Sequence, residues 1–140
     1  MVARSHRSLL LAVILIGNLG LQVELLLLDH AETFNQWIPH LTLAIGLVAI
    51  GLVFFTPSGF TVLLFRIVMF GFIGIGLLGL FLHYRGNVEF ARERWPTLGG
   101  TALVWKALRG ATPALAPGAL AQLGLLGLLH TYRNPHLSLD

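Results

Sequence analysis

Cysteine is absent from this chain, which excludes disulfides, zinc–thiolate sites, iron–sulfur clusters and c-type haem attachment. Charge is scarce too. Asp, Glu, Lys and Arg make up 11% of the 140 residues, whereas soluble domains carry about 25%. The nine Lys and Arg residues form no basic stripe, so no nucleic-acid partner is expected. Most of them sit at the ends of apolar stretches, as interfacial anchors and lipid-headgroup contacts do. The chain also lacks a nucleophile–base pair, a phosphate-binding loop, an H-E-x-x-H pattern and a Glu-x-x-His on a helix. No enzymatic activity is expected.

What remains is hydrophobic. Apolar residues make up 56% of the chain, and the mean hydropathy is +0.81. They concentrate in four stretches of 18 to 23 residues: Ser8–Leu28, Ile38–Phe55, Phe60–Leu82 and Ala111–Leu129. A hydrocarbon core about 30 Å thick is crossed by ~20 apolar residues in a helix. The expected fold is therefore all-α: a four-helix transmembrane bundle forming one integral membrane domain over residues 1–140. Arg4 and Arg7 before an apolar run imitate a secretory signal. The run continues to spanning length without a small-residue cleavage site, so a retained transmembrane helix is expected.

The connections are short. Trp37 suits the headgroup level, and Pro39 suits the first turn of the second helix, where its missing N–H costs nothing. Thr56-Pro57-Ser58-Gly59 reads as a tight turn, and the third helix should leave the membrane at His83–Gly86. Beyond it, 87–94 can form about two helical turns before Pro96. Thr101–Arg109 is amphipathic, with Leu103, Val104, Ala107 and Leu108 on one face, as an interfacial helix requires. Pro113 and Pro117 predict a kink or an unwound start in the fourth span.

The helix ends bring polar residues to one membrane side: Asp29, His30, Glu32, His40, His83 and Glu89. Imidazole and carboxylate are metal-ligand types, and His30, His40 and His83 are the candidate contacts for a haem or chlorophyll. The plainer reading makes them wet polar ends of hydrophobic helices, with no metal and no required cofactor. Glu24, inside an apolar run, forms a candidate intramembrane polar site with Asn18 and Gln122, since carboxylates within spans mark ion pathways. Near the interface, Glu24 would instead hydrogen-bond to Thr42 or to carbonyls freed by Pro117. Arg66 should snorkel to water. The run Gly71-Phe-Ile-Gly74-Ile-Gly76-Leu-Leu-Gly79 has glycines like a dinucleotide loop but follows no strand. It reads as a close helix-packing surface, and Pro117–Ala121–Gly124 offers a matching small stripe.

Three blocks carry a resemblance. They are 24–32 (ELLLLDHAE) with Trp37-Ile-Pro39, 82–90 (LHYRGNVEF), and 110–118 (GATPALAPG) through Gln122 to Tyr132-Arg133-Asn-Pro135. Together they resemble a small family of uncharacterised four-span bacterial membrane proteins. That resemblance implies the four-span architecture and brings no activity. The expected localisation is the bacterial cytoplasmic (inner) membrane. Arg4 and Arg7 favour cytoplasmic N- and C-termini, against five cations between Arg85 and Arg109. The expected function is that of an accessory subunit packing against larger integral membrane protein subunits, for example in a respiratory or photosynthetic electron-transfer complex. The alternative is a small oligomeric transporter or ion-conducting protein using Glu24.

Overall fold

Each helix starts and stops on local chemistry. The computed structural model describes residues 2–110, 112 and 117–137, with side chains from residue 6 onward. Helix α1, Val2–Leu27, ends with Asp29 at φ 48°. There His30 N–H donates to Leu25 O at 3.0 Å and Asp29 N–H to Leu26 O at 3.2 Å. That pair of bonds is a Schellman closure, and the short polar Asp tolerates the left-handed conformation it needs.

Helix α2 is Phe34–Phe55, four residues longer at its start than the apolar run. Thr33-Phe-Asn-Gln36 is a capping box, with Gln36 Oε1 accepting from Thr33 N–H at 2.8 Å. Pro39 consequently lies in the second turn rather than the first, and Trp37 sits on the helix.

Helix α3, Gly59–Arg94, begins on a reciprocal cap. Thr61 N–H donates to Ser58 Oγ at 3.2 Å, and Ser58 N–H to Thr61 Oγ1 at 2.9 Å. Its 36 residues span about 54 Å at 1.5 Å per residue. It does not end at His83–Gly86. A glycine inside a helix costs only about 1 kcal/mol, and the neighbouring bonds offset it. Arg85 Nε donates to Glu89 Oε1 at 2.8 Å one turn on, and Asn87 and Ala91 are buried. The helix stops at Trp95, whose backbone (φ −136°, ψ 80°) has left the helical region that the following Pro96 disfavours.

Helix α4, Gly100–Leu108, is the amphipathic piece expected. It buries Leu103 and Ala107 against α3, while Val104 and Leu108 remain exposed. Lys106 Nζ lies 4.0 Å over the Trp95 ring. Helix α5 is Gly118–Thr131, followed by a 3-10 turn at Pro135–Leu137.

The fourth expected span falls partly on residues outside those described. Among the described residues three helices are long and apolar enough to cross a membrane: α1, α2 and α3. Helix α5 has 14 residues, about 21 Å. Pro117, with no N–H to give, caps its start, and the expected kink at 113–116 lies outside the described residues.

Helices α1, α2, α3 and α5 alternate in direction around a square, with α1 beside α2 and α5, and α3 beside the same two. Ile14, Leu43, Phe65, Met69, Phe72 and Leu123 fill the centre. Outward, the helices present Ile16, Val23, Ile45, Val48, Ile67, Phe70 and Leu125, all exposed. A continuous apolar exterior on spanning helices is what lipid requires, and the protein is membrane-embedded.

The α3–α5 contact explains half of the glycine run. A Cβ on Gly76 would fall 2.6 Å from Ala121 N, one on Gly79 2.8 Å from Pro117 Cβ, and one on Gly124 2.6 Å from Met69 O. The two small stripes of the sequence therefore face each other, and the backbones meet through them. Gly71 and Gly74 point away, with nothing within 4 Å of a Cβ at either.

Candidate functional site

The polar residues fall into two clusters at opposite ends of the bundle, with one amide between them. At the end where α1 joins α2, His40 is buried on α2. Gln22 Nε2 lies 2.7 Å from His40 Nδ1, and His40 Nε2 lies 3.0 Å from the His30 carbonyl. The amide N–H₂ can only donate and the carbonyl can only accept. The Gln22 amide N–H₂ thus donates to Nδ1, and Nε2–H donates to the His30 carbonyl. Trp37 packs on this imidazole at 5.6 Å between centroids.

His30 and His83 stand beside it with ring centroids 6.3 Å apart and planes tilted by 47°. Burial, followed by the proximity of His83 and then His40, holds the His30 imidazole below its ordinary value of 6.5. The three histidines named from the sequence are thus brought together. Their geometry is that of a hydrogen-bonded clamp between α1, its exit loop and α2. Both nitrogens of His40 are engaged, and among the described residues no group of three His, Asp or Glu side chains could hold a metal ion. Asp29, Glu32 and Glu89 are exposed, and Glu89 is paired with Arg85.

The proposed intramembrane polar site does not assemble. Asn18 is fully buried, against Gly46 and Phe72, and neither its Nδ2 nor its Oδ1 has a hydrogen-bond partner. Glu24 and Gln122 lie on outward surfaces of α1 and α5. Thr42 Oγ1 donates to Ile38 O at 2.8 Å in its own helix, and Pro117 O accepts from Leu120 N–H at 3.1 Å. Neither serves Glu24, whose side chain stands three residues before the end of α1. Arg66 is half-buried near the start of α3.

The second cluster was not anticipated by sequence reasoning. His130, buried on α5, has Nδ1 3.1 Å from Arg7 O and donates to it, and its ring meets Phe65 edge-on at 5.6 Å. Arg7 Nη2 donates to the carbonyls of Tyr132, at 3.2 Å, and Arg133. A cation on carbonyls near a helix C-terminus is electrostatically favoured. The available signal was that four alternating apolar runs, an even number of passes, return residue 130 to the level of residue 7. Near the other end, Asn87 fastens the chain after α4. Its Nδ2 donates to Thr112 O at 2.7 Å and its Oδ1 accepts from Thr112 N–H at 3.2 Å. Asn87 was legible only as a polar residue past a span.

No protein-family model, curated protein or solved structure matches the chain.

Proposed function

We propose that this protein is a non-enzymatic integral membrane subunit that packs against a larger membrane protein through the outward face of α3. The observation that carries the reading is the orientation of the glycines in 71–79. Gly76 and Gly79 are used inside the bundle, whereas Gly71 and Gly74 open outward beside the exposed Ile67, Phe70 and Leu78. Glycines a turn apart on a lipid-facing surface let a second helix approach closely, and packing is what drives association where lipid removes the hydrophobic incentive. The part of α3 past Leu82, braced by α4, adds a rigid basic platform of Arg85, Arg92, Arg94 and Lys106. Arg4 and Arg7 before the first span support an N-terminus on the cytoplasmic side of a bacterial inner membrane, with residues 130–133 at the same end.

Gentle detergent extraction, native electrophoresis and mass spectrometry test this. The protein should migrate in a larger assembly, and Gly71→Leu with Gly74→Leu should release it, while Gly20→Leu on α1 should not. Migration of the wild-type protein only as a lone 15.3 kDa species would refute the reading. Ion conduction through Glu24 is the weaker alternative. It is favoured only if Glu24→Gln abolishes proton flux while assembly is unchanged.

A further inference from the structure

At the end that carries Arg7 and residues 130–137, a cleft separates α1 from α2. Opposite, the exit loop joins them, Gln22 and His40 clamp them, and Asn18 packs on Gly46. Here α1 is tied to α5, through Arg7 on the Tyr132 and Arg133 carbonyls and His130 on the Arg7 carbonyl. The start of α3 holds α2 instead, through the Thr56–Ser58 turn. A cleft of about 700 Å³ opens between the two helices. Leu11 and Leu15 wall it on one side, and Leu47, Ile50 and Phe54 on the other. Arg7, Asn134 and His136 stand at its mouth.

We propose that this cleft holds one acyl chain of an anionic phospholipid, with the phosphodiester seated on Arg7 and His136. Three properties select that occupant. The walls are aliphatic and aromatic, and the volume lies within the ~300–1,000 Å³ of small-ligand sites. From Arg7 to Leu15 the cleft runs eight residues of helix, about 12 Å, which approaches half of a hydrocarbon core about 30 Å thick. It therefore has the depth of one leaflet, with its polar mouth at headgroup level. Finally, the mouth carries the Arg7 guanidinium, and among the described residues no carboxylate lines the cleft. A phosphate complements it, and a choline ammonium would find no counter-charge there. Basic pockets between membrane helices take anionic headgroups on these grounds. Arg7 is already oriented by two carbonyls, so little of its rotamer freedom remains to be lost on binding.

The site lies between α1 and α2, away from the α3 face assigned to a protein partner, and stands independently of that assignment. Gly51 provides its test, because it lines the cleft and a Cβ there meets nothing within 4 Å. Gly51→Phe can therefore project into the chain site without distorting the helices. Ala12→Phe plugs the site from the opposite wall. The purified full-length protein in detergent is titrated with phosphatidylglycerol, with phosphatidylcholine of the same chains, and with inorganic phosphate, following thermal unfolding and lipid retention by native mass spectrometry. Phosphatidylglycerol should bind about tenfold more tightly than phosphatidylcholine, and each plugged variant should lose about tenfold in that affinity. Inorganic phosphate should give no shift. Equal affinity for the two lipids would overturn the proposal, as would two folded plugged variants that bind like wild type. Stabilisation by phosphate alone equal to that by phosphatidylglycerol would also overturn it.

Discussion

Gln22 and His40 form a hydrogen bond 2.7 Å long that joins α1 to α2. The second ring nitrogen carries the connection to the His30 carbonyl. Three segments that diverge in sequence are thereby held by one side chain, at the closed end of the pair whose other end opens into the cleft.

Removing either partner leaves a buried polar atom unpaired, which costs about 1–3 kcal/mol. Gln22→Leu and His40→Ala should each lower the unfolding temperature in detergent by that equivalent. The double variant should lose less than the sum, because the two residues share one bond. Additive losses in a double-mutant cycle would show that the bond contributes nothing.

Asn18 invites the opposite outcome. Its amide is wholly buried beside Gly46 and Phe72 with no bond from either atom, and such a group costs about 1–3 kcal/mol. Asn18→Leu, with the same branched arrangement of side-chain heavy atoms, should raise thermal stability by up to that amount. A loss of stability would mean that the amide is paired in the membrane.

The glycines of α3 and α5 should divide by direction. Gly76→Val and Gly124→Val would place side-chain atoms against the backbone at Ala121 and Met69. They should destabilise by about 1–3 kcal/mol, as overpacking does. Gly74→Ala meets nothing and should be neutral or stabilising by up to about 1 kcal/mol, the helix propensity of alanine over glycine. Unfolding of the isolated protein measures both, and equal effects would contradict the packing described.

Acid should loosen the clamp end. The His30 imidazole is held below 6.5 by burial and by His83 and His40, so the folded state binds fewer protons than the unfolded one. Its contribution is intact above 6.5, diminishes as pH falls through that value, and levels off below the lowered folded pKa. Between about pH 7.5 and about pH 5.5, wild type should lose more thermal stability than His30→Asn. An equal loss in both would remove His30 as the cause.

Helical class, membrane embedding and the reversals at 28–33 and 56–58 were legible because each follows from local facts: run length, capping residues and turn composition. Even Thr33-Phe-Asn-Gln36, overlooked in favour of hydropathy, was a readable start for α2. The end of α3 was not. Gly86 marks a break by composition, and only burial of Asn87 and Ala91 beside α4 carries the helix through. The start of α5 at Gly118 agrees with the unwound start that Pro113 and Pro117 predict in the fourth apolar run, and residues 113–116 lie outside those described.

The amino-acid sequence by itself determined that this chain partitions into lipid as helices, because transfer of apolar side chains and backbone satisfaction within a helix depend on residues near in sequence. It also determined which end of the bundle His30, His40 and His83 share, since membrane crossings leave only two levels. Tertiary structure alone decided which polar groups meet. It paired Gln22 with His40 and Arg7 with residues 130–133, left Asn18 alone in the core, and separated Glu24 from Gln122. Those outcomes depend on the rotation of each helix about its axis, and that rotation is set by how side chains on different helices interdigitate across the core.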